Sequence, residues 1–134
     1  MIRYLTSVDG ITVDQLRGGF FEGWLNPPAP EVHLRILQNS AFVMLALDDD
    51  AVVGFVNAIS DHVLAAYIPL LEVLPNYRRQ GIGGELMKRI LTELRHLYVI
   101  DLMCDPQLQP FYEQFGMNRY SGMIMRNFDR QAGA

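Results

Sequence analysis

Thiols are nearly absent from this chain: Cys104 is the only cysteine in 134 residues. One thiol makes no intrachain disulfide and no cysteine-based zinc site, so neither is expected to hold the fold, and no metal is expected at the site. Long apolar runs are lacking too. The longest, Val63 to Leu71, contains Pro69 and falls far short of the ~20 residues that cross a bilayer. The first residues carry Arg3, Thr6, Ser7 and Asp9 with no apolar signal core, so a cytoplasmic, soluble protein without a membrane partner is expected. Excess positive charge is also missing: 11 basic side chains stand against 15 acidic ones, a net charge of −4. Proteins grip nucleic-acid backbones with basic surfaces, so no nucleic-acid partner is expected.

What is present is an ordinary globular composition, 50% hydrophobic and 19% charged. The length suits one domain spanning residues 1–134, large enough to bury roughly two-thirds of its unfolded surface. Ile2 to Leu5 reads as a short edge strand. Val13, Leu16, Phe20, Phe21 and Trp24 recur near helical spacing, which predicts a helix from Thr12 to Trp24, with Gly18 and Gly19 against it. The prolines at 27, 28 and 30 require a loop, and a short helix follows over Glu31 to Leu37. Ala41 to Leu47 and Val52 to Ile59 read as a hairpin turned by Asp48-Asp49-Asp50. A third strand, Ala66 to Leu74, contains Pro69 and so predicts an edge or a bulge. Ile82 to Leu97 is strongly helical and Tyr98 to Met103 a short strand. Asp105 before Pro106 suits a helix cap. A helix over Phe111 to Phe115 ends at Gly116. Met117 to Met125 predicts a final strand, and Asp129 to Ala134 a frayed tail. The order describes a mixed α/β domain with helices flanking a central sheet.

The stretch with the most chemical content is Leu71-Glu72-Val73-Leu74-Pro75-Asn76-Tyr77-Arg78-Arg79-Gln80-Gly81-Ile82-Gly83-Gly84-Glu85-Leu86. A strand runs through a glycine-bearing turn into a long helix. The first helical turn leaves N–H groups unpaired, and the helix dipole adds partial positive charge there. Glycines let an anion approach closely, and arginines add donors, so the pattern describes a diphosphate cradle. A Walker loop needs Gly-Lys-Ser/Thr, where this chain has Gly83-Gly84-Glu85. A dinucleotide fingerprint needs a third small residue where Leu86 stands.

Arg78-x-x-Gly81-x-Gly83 resembles the acyl-CoA diphosphate motif of the GCN5-related N-acetyltransferase (GNAT) family. Phe111-Tyr112-Glu113-Gln114-Phe115-Gly116-Met117 is similar to a second segment of that family, with Met117 where phenylalanine is usual. The resemblance covers Ala41 to Met125. It implies a mixed sheet with a splayed pair of parallel strands, and acetyl-CoA as donor to a small-molecule or peptide amine. It further implies that the backbones of Leu71 and Val73 pair with the cofactor arm. Arg78, Arg79, Gln80, Gly81, Ile82, Gly83 and Gly84 would hold the diphosphate. Tyr112 matches the position that commonly serves the leaving thiolate. Tyr67 falls near the position that often holds the base, with Glu72, Asp61 and His62 as other candidates. Asp105 stands where many members carry an asparagine that contacts the cofactor. Similar small domains often form homodimers through their last strands, which here points to Met123, Ile124 and Met125. A non-catalytic acyl-CoA sensor on the same fold is the alternative reading. Cys104, with no histidine beside it, reads as an inert core thiol. Phe20, Phe21, Trp24 and the proline loop would wall the acceptor side, with Glu22, Glu31 and Asp61 available to a cationic amine.

Overall fold

A computed structural model describes residues 1–134. Its centre is one five-stranded sheet in the order β1-β2-β3-β4-β5. Strands β1 (Ile2–Leu5), β2 (Phe42–Asp48), β3 (Ala51–Ser60) and β4 (Ala65–Val73) pair antiparallel in succession. Strand β5 (Val99–Leu102) joins β4 in parallel. A parallel neighbour requires a crossover, supplied by helix α2 (Ile82–Leu94). Helix α1 (Pro30–Gln38) precedes β2, and the short α3 (Gln109–Glu113) follows β5.

Side-chain alternation on β2 sorts the core into two layers. Val43, Leu45 and Leu47 pack with Leu16, Phe21 and Leu37 on the α1 face. Met44 and Ala46 pack with Leu86, Met87 and Ile90 on the α2 face. Five of these, Leu45, Ala46, Leu47, Leu86 and Met87, are completely enclosed. The same alternation sorts β4: Leu71 and Val73 join the α2 layer, and Leu70 joins the α1 layer.

Three expectations need correction. The helix over Thr12 to Trp24 shrinks to a 3-10 turn at Val13–Leu16. Beyond it a loop runs close to the sheet, where a Cβ on Gly18 would stand 2.5 Å from Leu74 Cδ1. Gly19, Phe21 and Gly23 all take positive φ (102°, 65° and 84°), which no right-handed helix accommodates. The final strand over Met117 to Met125 is absent. No main-chain-to-main-chain hydrogen bond involves residues 117–126, because no sheet edge within the chain receives them. The tail is tied rather than frayed: Phe128–Arg130 forms a 3-10 turn, and the Asn26 N–H donates to Gln131 Oε1 at 2.7 Å.

Candidate functional site

Strand β4 leaves β5 partway along its length. Their parallel pairing runs from Ala65 with Val99 to Ile68 with Leu102 and stops there. Against β3, the register slips between Asn57–Leu70 and Ile59–Tyr67, so β4 carries an extra residue at Ile68-Pro69. The bulge expected from Pro69 is therefore present, and it lies where β5 departs. From Leu70 to Val73 strand β4 pairs only with β3. The Leu74 N–H donates to the Val53 carbonyl at 2.8 Å. Alternation then turns the main-chain groups of Leu70 and Glu72 toward β3, and those of Leu71 and Val73 toward the open gap. Consistent with this, the Val73 carbonyl accepts from the Arg78 side chain (Nε, 3.1 Å) and not from β3.

The loop after β4 ends at the start of α2. Tyr77 anchors it by donating its hydroxyl to Asp48 Oδ2 at 2.7 Å. Gly81 is the N-cap residue, with φ 83°. Arg79 also takes positive φ, 63°. The first main-chain bond of the helix runs from Glu85 N–H to Gly81 O at 3.0 Å. The six preceding N–H groups, Arg79 through Gly84, donate to nothing in the chain. A Cβ on Gly83 would meet Phe111 and Val73 only at 3.8 Å, and one on Gly84 would meet Phe115 only at 4.0 Å. Packing therefore does not demand glycine at either position. Their bare backbones leave room at a positive helix end, which suits a diphosphate. These residues, with the free edge at Leu71 and Val73, fit the phosphate and amide portions of an acyl-CoA.

Glu72 lies on the opposite face of β4 from Leu71 and Val73. Its carboxylate accepts from the Phe21 N–H at 2.8 Å. Burial pushes its pKa up, opposed by the Phe21 hydrogen bond and the nearby Arg78 guanidinium. Tyr67 shares that face, but five residues along a strand set it about 15 Å away. One reacting centre cannot touch both side chains directly. The Tyr67 side chain is exposed and makes no hydrogen bond in the chain. Asp61 is committed elsewhere. It accepts from the N–H groups of Val63, Leu64 and Ala65, bonds that hold its carboxyl down at about 2 and brace the β3–β4 turn. His62 sits in the same turn with φ 64°.

Tyr112 projects from α3, its ring 5.0 Å from that of Phe111. Burial, with Cys104 nearby, pushes its hydroxyl up to about 12. Tyr112 and Cys104 line a cavity of about 890 Å³ bounded by β5, α3 and residues 116–122. Cys104 is partly exposed rather than in the core, and burial with Asp105 beside it raises its pKa, which keeps the thiol protonated. Asp105 occupies the N-cap position of a 3-10 turn at Pro106–Leu108, but its side chain makes no capping bond. No three His, Cys, Asp or Glu side chains gather closely enough to hold a metal ion, and no helix is long and apolar enough to cross a membrane.

On the α1 side of the sheet, a cavity of about 450 Å³ is walled by Phe20, Phe21, Pro27, Pro28 and Pro30. Trp24 meets the Phe21 ring at a tilt, centroids 5.0 Å apart, and takes no part in this wall. Glu31 pairs with Arg17 at 3.3 Å. Two features here had no sequence signal. One is the Phe21 N–H, aimed by a left-handed backbone conformation. The other is His33, almost fully buried among Phe20, Phe21 and Phe55, with no partner for Nε2.

The chain belongs to the GNAT family of acetyltransferases, whose sequence profile matches residues 11–117. It superposes with a TM-score of 0.95 on the crystal structure of an acetyltransferase candidate from Deinococcus radiodurans R1. That pair shares 52% identity over 99% of this chain and 93% of the other. A GNAT family acetyltransferase from Streptococcus pneumoniae TIGR4 shares 30% identity over 95% of this chain and 98% of its own, with a TM-score of 0.72. An uncharacterized N-acetyltransferase, ycf52, from Gracilaria tenuistipitata var. liui is 32% identical over 101 residues, which are 70% of this chain and 54% of that protein. The chain thus spans little more than half the length of these curated relatives. Acyl transfer with acetyl-CoA as donor is the chemistry of the family.

Burial holds the His33 imidazole neutral, with its pKa lowered to about 4. The unfolded chain takes up that proton near pH 6.5, so the stabilisation is complete above 6.5 and is lost as pH falls toward 4. The loss reaches roughly 3 kcal/mol. Urea denaturation at pH 7 and 4.5 should show wild type losing more stability than His33→Gln. Parallel losses in the two proteins would reject this reading.

Proposed function

We propose that the protein transfers an acetyl group from acetyl-CoA to the primary amine of a small molecule or peptide. The observation that carries this reading is the convergence at one end of β4. The unpaired edge at Leu71 and Val73 meets six free N–H groups from Arg79 to Gly84, with Phe111 of α3 beside Gly83. The donor is a substrate here, bound through those groups with Arg78 and Arg79 as added cations. Gly81, Ile82, Gly83 and Gly84 form the floor beneath the diphosphate, and Gln80 lies in the same run.

The amine nitrogen attacks the thioester carbonyl carbon. The carbon–nitrogen bond forms, the carbon–sulfur bond breaks, and the amine proton passes to Glu72 directly or through one water. Glu72 suits that role because burial raises its proton affinity above that of an ordinary carboxylate. Tyr67, about 15 Å along the strand, would serve only through water. Tyr112 holds its phenolic hydrogen toward the departing sulfur. A hydroxyl near 12 does not transfer fully to a thiolate of pKa ~8.5, so it stabilises by hydrogen bonding and the thiolate is protonated from solvent.

Release of CoA thiol from acetyl-CoA with pooled amines tests the reaction. Tyr112→Phe should lower kcat roughly 10- to 100-fold with little change in CoA affinity. Glu72→Gln should remove the limb of the pH–rate profile set by a group that must be deprotonated. No thiol release with any amine, or an unaltered pH profile in Glu72→Gln, rejects the corresponding part.

Gly83 gives a test with opposite signs. Its φ is not left-handed and its surroundings accept a methyl group. Gly83→Ala should therefore leave stability unchanged or raise it by up to about 1 kcal/mol, while weakening CoA binding. Equal CoA affinity measured by calorimetry would count against the cradle.

The homodimer reading rests on Met123, Ile124 and Met125, which are 98%, 60% and 86% exposed in a segment lacking main-chain partners. Gel filtration at micromolar concentration should give a dimer, and a monomer overturns it.

A further inference from the structure

Arg78 does not stand free to receive a phosphate. Its Nε donates to the Val73 carbonyl at 3.1 Å, and its Nη2 donates to Glu22 Oε2 at 3.3 Å. The first contact occupies an acceptor on the open edge of β4. The second is an ion pair to the loop between the 3-10 turn and the prolines. That loop is already tied to the site, since Phe21, adjacent to Glu22, donates its N–H to Glu72 at 2.8 Å. Both residues flanking Glu22 take positive φ, 65° at Phe21 and 84° at Gly23. The turn at residues 21–23 thus presents a main-chain donor to Glu72 and a carboxylate to Arg78. Glu72 also feels the charges of both Arg78 and Glu22.

We propose that Glu22 is a positioning residue that acts through Arg78. With no donor bound, it holds the guanidinium across the Val73 carbonyl and so closes the edge that the donor's amide arm needs. The inference rests on the assignment of that edge to the donor. Binding must break the Arg78–Val73 contact, and the Arg79–Gly84 cradle immediately beyond gives the guanidinium a diphosphate to move toward. Leaving Val73 also strains or breaks the Glu22–Arg78 pair. When the donor arrives the turn at 21–23 loses its tie through Arg78 and keeps only the Phe21–Glu72 bond to β4. Donor binding is consequently weaker than the cradle alone would allow, and it is linked to the freedom of the acceptor-side loop.

Titration of CoA into wild type, Glu22→Gln, Arg78→Gln and the double variant tests this, with thermal melts confirming that each protein is folded. Both partners are about half-exposed, so the pair contributes little and the effect is small. Glu22→Gln should tighten CoA binding about two- to fivefold, a range equivalent to a surface ion pair. In the Arg78→Gln background the same substitution should change nothing, because there is no guanidinium left to release. A merely structural role for Glu22 would weaken binding or leave it unchanged, and either result overturns the latch. Equal tightening in both backgrounds overturns it as well, since Glu22 would then act without Arg78. If wild type binds no CoA, the donor assignment falls and takes the latch with it. Binding by wild type without tightening in Glu22→Gln removes the latch alone.

Discussion

The hydrogen-bonded ladder between β4 and β5 ends after four residue pairs, and the site depends on that ending. Pro69 brings no amide hydrogen to the ladder at the point of departure, and the extra residue beside it turns the strand. Had pairing continued, the main-chain groups of Leu71 and Val73 would be consumed within the sheet. Because it stops, they face a gap that also receives the first turn of α2 and the rings of α3. The crossover helix is a topological requirement of the parallel pair, yet its dipole delivers partial positive charge to that same gap.

Electrostatics divides the site between the two faces of β4. On the α1 face, Glu72 is held by a backbone N–H and pushed toward protonation by burial. On the other side of the gap, Tyr112 is kept protonated for the same reason. Burial acts on both in the same direction, favouring the protonated, uncharged form. Arg78 touches both the open edge of β4 at Val73 and the loop that carries Glu22, and so bridges the two.

The glycine-bearing turn was legible because its signal is local. Gly81 needs its left-handed φ, Gly83 and Gly84 sit in the first helical turn, and Arg78 precedes them within a few residues. The alternation that sends Glu72 away from Leu71 and Val73 was legible for the same reason, since strand periodicity needs no partner to be read. The segment from Thr12 to Trp24 was not. Its apolar spacing fits a helix, but those side chains pack from a loop whose path follows the surface at Leu74. Residues 117–125 read as a strand, yet a strand needs an edge to pair with, and these residues make no main-chain pairing within the chain.

The sequence by itself determined the class of domain, the placement of the diphosphate-type turn, and Tyr112 on a helix near the end of the sheet. Each follows from residues close together in the chain, where steric and hydrogen-bonding preferences act directly. Only the tertiary structure decided that Phe21 holds Glu72, that Arg78 rests on Val73 and Glu22, and that His33 lies unpartnered among three aromatic rings. Two of those contacts span 51 and 56 positions of the chain, Phe21 to Glu72 and Glu22 to Arg78, and their energies arise from burial and from charges brought together. Neither exists until the two core layers close around the sheet.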